Sequence, residues 1–165
     1  MSRKRSSTQS RSAARLAAVQ ALYEMDMAGA STDAILAEFI TDRWTAIGPE
    51  LPSTPDRALL VDLVEGVAAR IGELDVAIGD ALADAWTVDR LEAVLRAILR
   101  AGVYELTCMP NVPQKVVINE YVDLAHAFYS GKEPGLVNAV LDHIGHHVRA
   151  GAALPDDQDD ARTNG

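Results

Sequence analysis

The chain has 165 residues, 48% of them hydrophobic and 24% charged, with a net charge of −9 at pH 7. This composition supports a buried core in one domain or two small subdomains and excludes an intrinsically disordered chain. Taken whole, the acidity argues against a nucleic-acid binder, because phosphate contacts need Lys and Arg. The charge is unevenly placed, however. Residues 1–15 hold Arg3, Lys4, Arg5, Arg11 and Arg15 and no acid, whereas residues 16–155 hold nine basic and twenty acidic side chains. Residues 156–165 add four Asp and one Arg. The expected object is an acidic body with a basic head.

Cys108 is the single cysteine, so no disulfide within the chain and no cysteine-rich zinc site is expected, and a reducing compartment, the cytoplasm, is the natural location. No apolar run approaches the ~18–20 residues of a membrane span. Polar Ser6 to Ser12 stands where a secretory leader would be apolar, so a soluble protein is expected. Two Phe, two Trp and four Tyr leave few rings for base stacking.

Apolar residues recur at helical spacing, with almost no β-type alternation, and predict an all-α fold of six or seven helices in two packed subdomains. The first helix spans about Thr8 to Ala28, with Leu16, Val19, Tyr23 and Met27 on one stripe, Arg11 and Arg15 four apart on one side, and Gly29 as the stop. Ser31 or Thr32 caps a second helix reaching about Thr45. Three prolines make 48–55 a loop. Thr54 and Pro55 then open one long helix from about Asp56 to Asp84. Thr87 or Asp89 caps the next, which carries Leu91 to Leu99 and either continues or kinks near Gly102 toward Leu106. Helices over about Gln114–Phe128 and Leu136–Arg149 follow, separated by the loop Ser130–Gly135. The expected organisation is a flexible basic N-terminus (1–10), an N-terminal subdomain (11–84), a C-terminal subdomain (85–150) and a disordered acidic tail (151–165).

No glycine-rich phosphate loop, nucleophile elbow or paired carboxylates are visible, so neither catalysis nor a cofactor is expected. His143 and His147 are four apart, a spacing that can chelate zinc, but no His-Glu-x-x-His accompanies them. Histidines near a helix C-terminus have a simpler cause in the helix dipole, and no metal is expected. The basic head carries more information. Five cations can neutralise phosphates, and arginine also stacks on bases. A merely solubilising head is the alternative.

Three stretches in order resemble the NusB family of transcription antitermination factors. They are Ala14–Tyr23, with its A-V-Q-A-L-Y ending; Arg96–Leu106 followed by Val112-Pro113 and Val117-Ile118-Asn119-Glu120; and Leu136–Asp142. The similarity covers about residues 11–145. It implies an all-helical, non-enzymatic protein of two subdomains. Such a protein binds the single-stranded boxA element of ribosomal RNA leaders together with NusE, a small-subunit ribosomal protein, and joins the RNA polymerase antitermination complex.

The resemblance places RNA contacts at Arg11 and Arg15, extended by Arg3, Lys4 and Arg5, at Gln20 and Tyr23 on the first helix, and at Lys132, Leu136 and Asn138 around the last loop. Leu136 stands where the family has an aromatic ring. Arg96, Arg100, Tyr104 and Glu105 are the expected NusE contacts, while Leu95 replaces an acid that many members carry on that face. Asn119 and Asn138 are expected to be buried and hydrogen-bonded, and Glu105 and Glu120 to be surface acids. Two other classes stay open. One is a helical interaction or dimerisation module, including a homodimer, without direct RNA binding. The other is a relative of the helical domain of ribosomal RNA cytosine methyltransferases, for which the chain offers no methyl-donor fold.

Overall fold

The computed structural model describes residues 2–41, 53–83 and 86–153. Among these the regular elements are helical: α1 (Ser2–Ala28), α2 (Thr32–Thr41), α3 (Arg57–Ala69), α4 (Ile71–Ala81), α5 (Ala93–Cys108), α6 (Gln114–Phe128) and α7 (Glu133–Ala153), with a short 3-10 turn at Val88–Arg90. The all-α expectation is met. The proposed subdomain join at residues 84 and 85, loop residues 48–52, the far end of the second helix and the tail from residue 154 lie outside the described residues.

Local chemistry accounts for the helix ends. Gly29 adopts φ +68 and its N–H bonds the Met25 carbonyl at 3.0 Å, closing α1 with a left-handed residue as expected. α1 starts at Ser2 rather than near Thr8, because no proline or glycine interrupts residues 2–10. Asp56, not Thr54, caps α3: its Oδ1 accepts from the Leu59 N–H at 3.1 Å. The same turn is tied to α1, where the Asp56 N–H bonds the Ser10 carbonyl at 2.9 Å and the Ser10 hydroxyl donates to the Thr54 carbonyl. Glu92 caps α5, so the helix begins later than Thr87 or Asp89 would place it. α7 begins at Glu133, three residues before Leu136, and continues past Arg149.

The expected long helix over 56–84 breaks at Arg70 (φ −128, ψ 19), whose N–H bonds the Val67 carbonyl. The break lets α3 pack on α1 and α5 while α4 turns over α5 to reach α7. No Pro marks it, so helical periodicity alone runs straight through.

α5 is the central element, touching α1, α3, α4, α6 and α7, and it is buried on nearly every side from Val94 to Leu106. It continues through Gly102 as far as Cys108. That glycine instead lets α7 and α6 close in, since a Cβ there would lie 2.9 Å from Leu141 Cδ1 and 3.4 Å from the Tyr121 ring. The core is one continuous cluster through all seven helices. Leu16 and Val19 join it, but Met27 is 62% exposed, whereas Met25 on the same turn packs against the core. Leu95 is buried at 4%, which puts this position in the core and not on a partner face.

Candidate nucleic-acid interface

The strongest polar constellation is buried where α1 crosses α5 and α6. Arg15 is 2% exposed and Glu105 0%. Arg15 Nε donates to Glu105 Oε1 at 2.7 Å and Nη2 to Oε2 at 3.1 Å, a bidentate pair. The Tyr121 hydroxyl donates to the same Glu105 Oε1 at 2.7 Å. Arg15 Nη1 also lies 3.7 Å from Glu120 Oε2, and Ser12 Oγ donates to the Glu120 carboxylate at 2.9 Å. Burial acts to lower the Arg15 pKa, but the hydrogen bond and charge of Glu105 outweigh it and leave the guanidinium raised. Desolvation, followed by the Glu105 charge, pushes the Tyr121 phenol well above its usual range.

This network corrects two expectations. Arg15 is not available to RNA, because it is spent neutralising a buried carboxylate. Glu105 is not a partner contact or a surface acid, because it lies inside. Gln20 is likewise 0% exposed and cannot meet RNA directly. The signal was present in the sequence. Arg15 falls on the stripe of Val19 and Leu22 at i+4 and i+7, and Glu105 on that of Ala101 and Ile98 at i−4 and i−7. Opposite charges on two apolar stripes mark a buried pair.

The expected partner face is also occupied from within. Arg96 Nη2 bonds Asp26 at 2.6 Å and Nη1 the Leu91 carbonyl at 3.1 Å. Arg100 grips Asp75 through two 2.8 Å bonds, and this hydrogen bonding, opposed by burial, raises its pKa. Tyr104, 7% exposed, donates its hydroxyl to Asp62 at 2.6 Å. Burial first, then the Asp62 hydrogen bond, lifts the Tyr104 pKa to about 12. These side chains clamp α5 to α1, α4 and α3. As correction, Arg96, Arg100 and Tyr104 are not a free polar face, because each is already bonded within the chain, to Asp26, Asp75 and Asp62.

What remains accessible falls into two groups. At the N-terminal end, Arg11 is 36% exposed and sits 4.0 Å from Asp56. It opens onto a cleft of about 310 Å³ lined by Thr8, Arg15, Asn111, Val112, Pro113, Val116 and Glu120. Beyond it, Arg3, Lys4 and Arg5 lie on the first turns of α1, their side chains outside the described residues. The second group is Lys132 and Asn138, both exposed, with half-buried Leu136 between them. It sits past the C-terminal end of α6, whereas the cleft is at its N-terminal end, so a helix of about 22 Å separates the groups. Tyr23 is half-buried on α1 between these regions in sequence. Asn119 is exposed like Asn138, so neither is the buried helix tie that their apolar neighbours suggested.

Among the described residues no three His, Cys, Asp or Glu gather as metal ligands. His143 and His147 are exposed and meet edge to face at 4.6 Å between ring centres. Fold and surface define a small all-helical protein with one continuous core, a cationic residue, Arg11, near its N-terminal end and a cleft beside it.

Comparison with known proteins sharpens this class. The NusB family model matches residues 12–146. The transcription antitermination protein NusB of Nitrobacter hamburgensis is 48% identical over 145 residues, covering 86% of this chain and 89% of its own. That of Bradyrhizobium diazoefficiens is 50% identical over 143 residues, covering 84% and 85%. A solved crystal structure of the antitermination factors NusB and NusE in complex with dsRNA superposes with a TM-score of 0.68 at 27% identity, covering 82% of this chain and 96% of that one. The chain belongs to the NusB family.

Proposed function

We propose that this protein is a transcription antitermination adaptor that binds boxA-type RNA together with NusE and so joins the RNA polymerase complex. The observation that carries the reading is the anchored basic end of α1. The buried Arg15–Glu105 pair pins α1 to α5 and α6 one turn after Arg11. Arg11 is then held beside the body to meet phosphates, and Arg3, Lys4 and Arg5 precede it on the same helix. Lys132, Leu136 and Asn138 form the second contact region, and Tyr23 on α1 is a separate contact. The solved NusB–NusE–dsRNA complex supports both partners. Single-stranded RNA suits the site because its unstacked bases are accessible to side chains.

The role is one of binding, not catalysis, and is carried out where nascent RNA is made, in the cytoplasm. No helix among the described residues is long and apolar enough to cross a membrane. Residues 11–84 and 85–150 act as two subdomains around a shared core. The acidic body gives a physical reason for a basic ribosomal-protein partner: each partner lowers the repulsion the other meets, and the coupling is reciprocal.

The test is a filter-binding titration of a boxA oligonucleotide and a scrambled one, with and without NusE. Tighter boxA binding, enhanced by NusE, is expected. Equal binding of both RNAs under both conditions refutes the reading.

A further inference from the structure

We infer that the cleft between α1 and the α5–α6 turn receives one unstacked nucleobase carrying an exocyclic amino group, with the Glu120 carboxylate as its acceptor. The inference rests on the RNA-binding reading above and assigns part of that surface.

The cleft has the features a single base needs. Its volume of about 310 Å³ lies at the small end of the ~300–1,000 Å³ of ligand sites, enough for one planar ring but not for a stacked run. Val112, Pro113 and Val116 supply apolar walls, and Val116 is 42% exposed with nothing of the chain covering it fully. Thr8 and Asn111 place polar groups at the edge. Arg11 stands at the rim, where the phosphate of a nucleotide whose base enters the cleft would fall.

Glu120 decides which part of the nucleotide enters. A carboxylate repels phosphate, so the backbone is kept outside with Arg11 and the base is turned inward. Ser12 donates a single proton shared between the two Glu120 oxygens at 2.9 Å, and Arg15 Nη1 stands 3.7 Å away. A carboxylate offers about four lone-pair sites, so acceptor capacity is left over. Because Arg15 is itself locked by Glu105, the acceptor is positioned before RNA arrives. Cytosine, adenine and guanine carry an exocyclic amino group that can donate to such an acceptor, and carboxylate acceptance from an amino group of cytosine is a known mode of base reading. Uracil has one N–H flanked by two carbonyl oxygens, which repel the carboxylate.

The test measures anisotropy of labelled rC10, rA10 and rU10 with the full chain, with and without NusE, at one salt concentration. Wild type is expected to bind rC10 and rA10 more tightly than rU10, by about tenfold for one charge-assisted hydrogen bond. Glu120→Gln should abolish most of that difference, because the amide also pairs with uracil oxygens. Since Glu120 also touches Ser12 and Arg15, Val116→Gln provides a second variant that narrows the cleft without changing charge at an exposed site. It should weaken rC10 and rA10 several-fold, while Val148→Gln on exposed α7 leaves them unchanged. If Val116→Gln and Glu120→Gln leave all three affinities unchanged while Arg11→Ala still lowers them, the cleft assignment is overturned and the RNA-binding reading stands. If the variants lower NusE affinity alone, the cleft is a protein-docking site and the inference also fails. If wild type binds no RNA with or without NusE, the functional reading falls and the cleft assignment with it.

Discussion

Replacing Glu105 with Ala tests the central polar network. The substitution removes both oxygens that hold Arg15 and the acceptor of the Tyr121 hydroxyl. Arg15 is 2% exposed and cannot swing into water without unpacking α1, so its charge stays buried. Its remaining carboxylate, Glu120 at 3.7 Å, is beyond good hydrogen-bonding distance. Breaking a buried pair from one side costs about 3–5 kcal/mol. With a urea m-value of about 2 kcal/mol/M for a chain of this size, the midpoint should fall by about 1.5–2.5 M. The double substitution Arg15→Met plus Glu105→Leu removes both charges together and should recover most of that loss, because a desolvated pair replaced by apolar side chains is close to neutral. The assay is urea unfolding followed by circular dichroism for wild type, both single variants and the double variant. A midpoint shift below about 0.5 M for Glu105→Ala, or a double variant no better than the singles, refutes the assignment of this pair as a buried mutual dependency.

Other outcomes follow from the same geometry. Arg11→Ala should weaken RNA binding and reduce the salt slope of log K by about 0.7, the value for one phosphate contact on a single strand, read from titrations at several salt concentrations. Gly66→Ala should destabilise by about 1–3 kcal/mol, because a Cβ there runs into the Tyr104 ring, whereas Gly72→Ala in open space on α4 should stabilise slightly; thermal melts separate them. The Tyr104 pKa is raised to about 12 in the folded state, above the usual value near 10, so the folded state binds its proton more tightly. The stabilisation this gives is complete below pH 10 and is lost as pH rises from about 10 to 12. Tyr104→Phe should therefore flatten the decline of unfolding free energy over that window, and an unchanged slope would contradict a phenol raised by burial and by the Asp62 hydrogen bond.

The helical class was legible from spacing, as were both ends of α6 and the stop of α1 at Gly29, while the family was legible from three stretches of residues that resemble it. Repeats at three and four residues along α1, α5, α6 and α7 reflect which face must leave water, and Gly29 marks a turn that only a left-handed residue makes without strain. The basic head was also legible, since charge along a chain needs no partner to be counted. The roles of individual charged residues were not. Arg11 and Arg15 are alike in sequence, four apart and on one side of a helix, yet one sits at a rim and the other is locked inside. Arg96, Arg100, Tyr104 and Glu105 looked like a polar face, but each finds Asp26, Asp75, Asp62 or Arg15 on another helix.

Those pairings join residues 25 to 90 positions apart and arise only when the helices cross. The break at Arg70, the burial of Leu95 and the cleft beside Glu120 have the same origin. Local periodicity dictates which residues form a helix and which stripe turns inward. How far each charge lies from water is set by the neighbouring helices, and that distance separates a charge that can meet RNA from one that holds the fold together.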